Sequence, residues 1–265
     1  RQWHETATQD VGFVPTMGAL HEGHATLLRA ARSRHRTVVL SIYVNPMQFG
    51  PTEDFAKYPR TLESDMALAT REGVDVVWAP TEEALFPVST RVTPGPLTDV
   101  LCGRFRPGHF EGVSTIVLKL LNQIRPRVLY LGQKDAQQLL VVQSVVRDLD
   151  LPVQVVGVPT VREHDGLALS SRNRYLTSAE RALAPELHRS LARVRDLAWA
   201  PHATVGDLEH AAAAERARLE QLGFRVQYLE RRQLPDLTSD PSPTASHLVA
   251  AAAILGSTRL IDNLW

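Results

Sequence analysis

Short apolar runs alternate with longer mixed stretches through the first part of the chain. Continuous apolar runs of this length are typical of strands buried on both faces, as in a parallel sheet. The stretches between them are typical of helices. The predicted strands are Val11–Val14, Thr37–Val44, Val74–Trp78, Arg127–Leu131 and Val153–Val158, and the predicted helices are Ala25–Ser33, Leu62–Glu72, Ser114–Gln123 and Ala136–Asp148. This alternation predicts an α/β fold with a Rossmann-like, doubly wound parallel sheet, which binds ligands outside the carboxyl ends of its strands.

The pattern changes after Pro159. Thr177–Glu180 has the composition of a capping box and opens a predicted helix that ends near Leu197. Another helix is predicted from Thr204 to near Gly223. Three strands follow, with a hairpin turn at Gly256–Ser257 between the last two: Arg225–Glu230, His247–Leu255 and Thr258–Asp262. We therefore expect a larger Rossmann-like domain over residues 1–158 and a smaller α+β domain over 159–265, with a Pro/Ser-rich surface loop at Ser239–Ser246.

Composition narrows the class of ligand. The chain has 265 residues, and its 29 Lys and Arg balance its 29 Asp and Glu, so the formal net charge is zero. That balance argues against a nucleic-acid or membrane-surface partner but is compatible with a local cationic pocket for a small anion. A single cysteine, Cys102, excludes an internal disulfide framework. No apolar run reaches the ~18 residues that span a bilayer, and the first residues lack the pattern of a signal peptide. We expect a cytoplasmic protein.

The segment Pro15–His24 carries the strongest candidate chemistry, because it joins the first predicted strand to a helix. Gly18 and Gly23 allow a ligand to approach the backbone closely. His21 and His24 lie at the helix start, where unpaired amides and the helix dipole favour anions such as phosphate. Two alternatives stay open. The histidines are polar helix-start residues, or they form a metal-binding pair, although the chain has no His-Glu-x-x-His motif.

Two further segments follow predicted strands and therefore lie at the same edge of the sheet. Asn45–Phe49 contains Gln48, whose amide both donates and accepts hydrogen bonds and suits a substrate with hydroxyls and a carboxylate. Gly132–Gln138 contains Lys134, a compact cation that can meet phosphates, and Asp135, which can cap the helix or accept from a ribose. A post-strand turn and a helix start beside a solvated lysine are the alternatives. The second segment lacks the spacing of a P-loop.

Polar groups elsewhere add to this set. Ser170–Asn173 brings two hydroxyls and the Arg172 guanidinium, which can clasp a triphosphate, and its place near the domain boundary allows it to close over a site. Arg104–Phe110 adds cationic donors ahead of a helix, with a solvated loop as the alternative. Asp65, on a predicted helix, is a candidate ligand for a nucleotide magnesium, with a plain surface carboxylate as the alternative.

Four of these segments together resemble the pantothenate synthetase (pantoate–β-alanine ligase) family. The matching motifs, in the order and spacing of that family, are Pro15–His24, Asn45–Phe49, Gly132–Gln138 and Ser170–Asn173, with His109–Val113 and Asp262–Asn263 as further matches. The resemblance covers essentially the whole chain, and this combination is highly specific. The two-histidine run alone also resembles class I aminoacyl-tRNA synthetases and small nucleotidylyltransferases.

The resemblance implies an ATP-dependent, AMP-forming ligation in two steps. The pantoate carboxylate attacks the α-phosphorus of ATP, which gives pantoyl adenylate and pyrophosphate, and the amine of β-alanine then displaces AMP. It also implies Mg²⁺ on the phosphates and a homodimer. The implied catalytic residues are His24, His21, Lys134 and Arg172. The implied ATP-binding residues are Met17, Gly18, Ala19, Leu20, His21, Glu22, Gly23, His24, Gly132, Gln133, Lys134, Asp135, Val161, Leu169, Ser170, Ser171 and Arg172. Gln48, Gln138, Arg106 and His109 are the implied substrate-binding residues, and Asp65 is the candidate metal ligand.

Two other classes of function stay open. A plain nucleotidylyltransferase would stop after adenylyl transfer, and a non-catalytic nucleotide sensor would bind ATP without releasing pyrophosphate. The joint presence of His24, Lys134 and Arg172 argues against the sensor, which does not need every phosphate-facing donor. A tRNA synthetase is disfavoured because the chain is short and has no basic RNA-binding region.

Overall fold

The computed structural model describes residues 10–198, 204–239 and 246–265. Most of the predicted surface loop, residues 240–245, therefore lies outside the described residues. The chain divides into two compact units: residues 10–98 with 106–160, and residues 99–105 with the described part of 161–265. The segment 99–105 lies in the range predicted for the first domain but packs in the second unit, where the Cys102 thiol meets the Tyr228 hydroxyl at 3.0 Å.

The first unit is built on a five-stranded parallel sheet with strand order β3-β2-β1-β4-β5. The strands are β1 (Val11–Thr16), β2 (Thr37–Ile42), β3 (Val76–Trp78), β4 (Val128–Gly132) and β5 (Gln154–Val158). The α/β class predicted from the sequence is confirmed. Because the strand order reverses between β1 and β4, the carboxyl ends of these two strands form the crevice where doubly wound proteins bind ligands.

Helices cover both faces of this sheet, which explains its continuous apolar strands. Phe13 of β1 packs in one cluster with residues of the helices that follow β3 and β4, whereas Val14 packs in another with Leu28. The helices up to β5 are α1 (Glu22–Arg32), α2 (Leu62–Arg71), α3 (Glu82–Leu85), α4 (Leu101–Phe105, part of the second unit), α5 (His109–Ile124) and α6 (Ala136–Asp148). The bounds of α6 are those predicted from the sequence.

The second unit is an antiparallel sheet with strand order β6-β7-β8, packed against helices. Its elements after residue 160 are α7 (Ser178–Leu183), α8 (Glu186–Ala198), α9 (Val205–Gln221), β6 (Phe224–Gln233), β7 (His247–Leu255) and β8 (Thr258–Leu264). The predicted capping box at Thr177 and the hairpin between β7 and β8 are confirmed. The single helix predicted to run to Leu197 is wrong. It is interrupted before α8 at Pro185, which has no N–H to donate and whose ring clashes with the preceding turn.

None of the helices in the described residues combines the length and the apolar composition that a membrane crossing requires.

Candidate active site

The two histidines after β1 cap the start of α1. His21 occupies the N-cap position, and its Nδ1 accepts a hydrogen bond from the Gly23 amide at 3.1 Å. His24 reaches back, and its Nδ1 accepts from the His21 amide at 3.2 Å. The ring centroids are 4.1 Å apart. This reciprocal arrangement is a capping box made of two imidazoles.

The cap also decides which nitrogen of each ring carries the proton. An Nδ1 atom that accepts from a backbone amide is unprotonated, so a neutral ring holds its proton on Nε2. Desolvation, with the neighbouring His21 and Lys134 as further causes, lowers the pKa of His24 to about 3. His24 is therefore neutral at physiological pH and presents an Nε2–H donor on the side of the ring opposite the capped amide.

The loop between β1 and the histidines is held by the carboxylate of Asp65. Asp65 Oδ2 accepts from the Ala19 amide at 3.0 Å, and Oδ1 accepts from the Leu20 amide at 2.8 Å. Gly18 and Ala19, in this loop, have positive φ values of 82° and 50°. The Thr61 hydroxyl adds a third hydrogen bond to the carboxylate, at 3.2 Å from Oδ1.

Burial contradicts one of the two interpretations offered for Asp65. It is not a surface carboxylate, since only 1% of its surface is exposed. Its oxygens accept hydrogen bonds from the Ala19 and Leu20 amides, and its role as a magnesium ligand stays a prediction. Within the described residues, no cluster of three or more His, Cys, Asp or Glu side chains is placed to hold a metal.

Lys134 lies in the turn that leads from β4 into α6, beside the histidine cap. Only 19% of its side chain is exposed, so the alternative of a solvated lysine is wrong. Its positive charge is one of the causes that lower the pKa of His24. Asp135 occupies the N-cap position of α6, but its side chain does not accept a capping hydrogen bond from any described residue. Its carboxylate oxygen Oδ2 instead lies 3.6 Å from Lys134 Nζ. Gln138 is half-buried in the first turn of α6.

Gln48 ends a short 3-10 turn after β2 and has an ordered side chain. Its Oε1 accepts from Asn45 Nδ2 at 3.1 Å, and its Nε2 donates to Met17 Sδ at 3.1 Å. Asn45 is buried and also donates to the Gly112 carbonyl at 3.1 Å. A Cβ atom on Gly112 would lie 2.3 Å from the Met47 carbonyl oxygen, so glycine is required where α5 meets this turn. The Met17 contact links Gln48 to the loop that carries the histidines.

Arg106 and His109 support Gln48 from its backbone side. His109 Nδ1 donates to the Gln48 carbonyl at 2.7 Å, and Arg106 Nη2 donates to the same oxygen at 3.2 Å. Arg106 Nη1 then meets His109 Nε2 at 2.9 Å, and two further nitrogens pair with Glu53. Desolvation and the Arg106 charge lower the pKa of His109 to about 4, so its ring is neutral. His109 is buried in α5, which contradicts the solvated-loop alternative.

Five predicted site residues belong to the second unit: Val161, Leu169, Ser170, Ser171 and Arg172. Val161 and Leu169 face each other across a hairpin, where the Leu169 amide donates to the Val161 carbonyl at 3.0 Å. Ser170 begins a 3-10 turn, and its Oγ accepts from the Arg172 amide at 3.3 Å. Ser171 is buried. The structure thus brings Ser170, Ser171 and Arg172 together in one capped turn.

A cavity of about 380 Å³ opens in the first unit at the carboxyl ends of β1, β2 and β3. Met17, Gly18 and Asp65 contribute to its wall, together with Arg60 and Glu82. It thus adjoins the loop that carries the histidines, on the side of the Asp65 anchor.

Three supporting residues carry little signal in the sequence and were missed there. Asn45 indicates only a turn, because Asn-Pro favours turns. Thr61 and Glu53 belong to segments without a motif: Thr61 bonds Asp65 one helical turn on, whereas Glu53 pairs with Arg106, which lies far along the chain. Thr61 and Asp65 are one helical turn apart, so their side chains can meet at the start of a helix. This spacing was the feature of the sequence from which their contact could have been predicted.

The crevice at the reversal of strand order, with an imidazole-capped helix start and a lysine beside it, defines an α/β protein of the nucleotide-binding class. Residues 1–265 match the family model described as Pantoate-beta-alanine ligase. A relative named pantothenate synthetase, from Carboxydothermus hydrogenoformans, is 49% identical over 256 residues, which cover 96% of this chain and 90% of the relative. Another of that name, from Thiobacillus denitrificans, is 50% identical and covers 95% and 89% of the two chains.

Solved structures agree with these matches. A structure of pantoate-beta-alanine ligase (pantothenate synthetase) from Thermus thermophilus superposes with a TM-score of 0.93 at 45% identity, covering 99% of this chain and 96% of that one. The Francisella tularensis pantoate-beta-alanine ligase, solved in complex with beta-gamma ATP and beta-alanine, has a TM-score of 0.79 at 34% identity, with coverages of 97% and 89%. The chain belongs to the pantoate-beta-alanine ligase family.

Proposed function

We propose that this protein joins pantoate to β-alanine through a pantoyl adenylate. The observation that carries the proposal is the reciprocal imidazole cap, which turns both Nδ1 atoms to backbone amides at the start of α1 and leaves Nε2 as the protonated nitrogen of the neutral His24 ring. Donors preorganised where negative charge develops contribute most to phosphoryl-type transfer. Pantothenate biosynthesis is the function that family membership supports.

In the first step, a carboxylate oxygen of pantoate attacks the α-phosphorus of ATP, and the bond to the bridging oxygen breaks to release pyrophosphate. Both reactants are anions, so positioning and charge neutralisation dominate the barrier. His21 and His24 donate to phosphate oxygens, His24 as a neutral ring, and Lys134 supplies positive charge. We further propose that Ser170, Ser171 and Arg172 provide donors to the same triphosphate.

In the second step, the β-alanine amine attacks the acyl carbon of the adenylate, AMP leaves, and the ammonium group that forms gives up a proton. Gln48 holds the pantoate hydroxyl and carboxylate groups and contacts β-alanine, with Gln138 as a second pantoate donor. Arg106 and His109 act by fixing the Gln48 backbone, since their polar atoms contact its carbonyl. Their role as direct substrate ligands stays a prediction.

Magnesium enters as part of the substrate. Mg²⁺ binds phosphate oxygens and keeps several waters, so it needs few protein ligands. This agrees with Asp65, whose carboxylate is bonded to the loop amides. We also propose that the protein is a cytoplasmic homodimer with a smaller domain, over residues 159–265, that closes over the site.

A two-stage assay tests this function. Purified protein with MgATP and pantoate is expected to release pyrophosphate and to retain the adenylate, and AMP is expected only after β-alanine is added. AMP release that ignores β-alanine, or pyrophosphate release with no amine-dependent second stage, would favour a plain nucleotidylyltransferase. ATP binding without pyrophosphate release would identify a nucleotide sensor and overturn the proposal.

A further inference from the structure

The hairpin at residues 161–169 leads directly into the turn that carries Ser170 and Arg172. The Glu163 amide donates to the Leu167 carbonyl at 2.8 Å, and Arg162 forms a bridge with Ala168. The start of the turn is tied to this hairpin, because Asn173 Nδ2 donates to the Ala168 carbonyl at 3.0 Å. The position of the hairpin therefore determines where the Arg172 turn begins.

A buried ion pair joins this hairpin to the last strand of the second unit. Asp262, on β8, is 4% exposed and accepts from Arg162 Nη1 at 2.7 Å and from Nη2 at 2.8 Å. The guanidinium also donates to the Gly166 carbonyl at 3.0 Å and to the Asn263 carbonyl at 3.2 Å. Four hydrogen bonds from one side chain thus fix both the distance and the angle between hairpin and strand.

His188 of α8 completes the cluster. Its Nδ1 lies 3.3 Å from Asp262 Oδ2. A Cβ atom on Gly166 would lie 2.7 Å from His188 Cδ2, so the hairpin backbone rests on the imidazole ring. Burial alone would raise the pKa of Asp262, but the adjacent His188 imidazole and Arg162 guanidinium outweigh it and hold that pKa below its ordinary value. The aspartate is therefore an anion that joins three elements.

A buried ion pair adds little to the stability of the folded protein compared with apolar residues in the same place. Replacing a buried ion pair with apolar residues of similar volume is often neutral or stabilising, whereas a bidentate pair fixes orientation. The second unit already has an apolar core in which Leu167 of the hairpin takes part. What the ion pair adds is a defined hairpin position.

We propose that Asp262 is a positioning residue, which acts through Arg162 to hold the hairpin at residues 161–169 where Leu169–Arg172 can meet ATP. This inference rests on the proposed function of that turn. It also accounts for the Asp262–Asn263 match near the end of the chain, to which the reaction itself assigns no role.

The experiment compares Asp262→Asn with Asp165→Asn in the full chain. Asp165 lies on the same hairpin and also pairs with an arginine, Arg181, at 2.6 Å, so it is the matched control. We expect Asp262→Asn to raise the KM for ATP by about tenfold, because small misplacements of binding groups have large kinetic effects. The KM for pantoate should change less than about twofold, and Asp165→Asn should leave both constants within about twofold. A loss of kcat with both KM values unchanged would indicate a merely structural role and overturn the proposal.

Hydrogen exchange gives a readout that does not depend on turnover. Asp262→Asn should speed exchange at the Glu163, Gly166 and Leu169 amides, which the hairpin protects, and leave β7 protected. Uniform loss of protection across the second unit would overturn the proposal. If the wild type shows no ATP- and pantoate-dependent turnover, the proposed function fails, whereas this local exchange pattern still tests whether Asp262 holds the hairpin.

Arg162→Lys serves if the aspartate variant does not fold. It keeps the charge but loses the bidentate geometry. It should give the same selective rise in the KM for ATP, and an unchanged KM for ATP in this folded variant would count against the positioning role.

Discussion

The two units hold the groups proposed to bind phosphate by contacts of very different range. In the first unit, His21 and His24 cap one another across three residues of sequence. In the second, the Arg172 turn depends on Arg162 and Asp262, which are 100 positions apart. The first arrangement forms as soon as α1 forms, while the second requires the completed sheet. The donors in the first unit are therefore properties of a local motif, and those in the second are properties of a tertiary fold.

The largest effect is expected from removing the local donor. His24→Asn retains an acceptor near the position of Nδ1, which can keep the cap, but removes the Nε2–H. We expect kcat for pyrophosphate release to fall by about 100- to 1000-fold, which is the usual cost of losing one preorganised donor. The measurement is pyrophosphate release from MgATP and pantoate.

His24→Ala is the companion variant, because it removes both the cap and the donor. It should abolish turnover to at least the same extent and also lower the unfolding temperature, since it removes one of the two hydrogen bonds of the capping box, and a capping interaction contributes about 1 kcal/mol. Near-normal turnover by either variant would remove His24 from the mechanism.

The next effect tests the pantoate side of the same unit. Gln48→Ala is expected to raise the KM for pantoate by about 10- to 100-fold, the range for a lost hydrogen bond to a charged group, with a much smaller change for ATP. Arg106→Lys, which weakens the Glu53 pair and the hydrogen bond to the Gln48 carbonyl, should give the same selectivity with a smaller rise. Equal effects on both substrates in Gln48→Ala would contradict its assignment to pantoate.

A smaller effect is expected from changing Asp65, which bonds the Ala19 and Leu20 amides across about 45 positions of sequence. Asp65→Asn keeps the volume but turns an NH2 group towards one of the loop amides, so the loop relaxes. We expect kcat to fall by about tenfold, because the histidines shift with their loop. The Mg²⁺ concentration for half-maximal activity should not change. A large rise in that concentration would show that Asp65 is a metal ligand after all.

The separation in sequence between contacting residues explains which features could be predicted from the sequence. The parallel sheet, the bounds of α6 and the capping box at Thr177 follow from local patterns, and all are confirmed. The helix start at His21 was also visible. The break at Pro185 could have been predicted, since proline rarely continues a helix.

The supporting contacts could not be predicted, because they join residues that only the fold brings together. Asp65 meets Leu20 across 45 positions, and Gln48 meets His109 across 61. The sequence marks Asp65, Gln48 and His109 as candidates but does not show which residues they contact. Motifs therefore identify site residues, whereas the contacts by which one residue orients another become visible only in the fold.

The smallest expected effect is a difference between the two units in how their stability depends on pH. His24 and His109 have pKa values of about 3 and about 4 in the folded protein, below the ~6.5 of an unfolded histidine. Protons therefore bind preferentially to the unfolded chain, so stability falls as pH drops below about 6.5, by about 1 kcal/mol per histidine at pH 6. In the second unit, the lowered pKa of Asp262 gives stability that is lost only below about pH 4.

Hydrogen exchange at pH 7 and pH 6, corrected for intrinsic rates, should show weakened protection in the first unit alone, and His109→Asn should reduce that change. An equal loss in both units, or an unchanged pH response in His109→Asn, would contradict this assignment of the titrating groups.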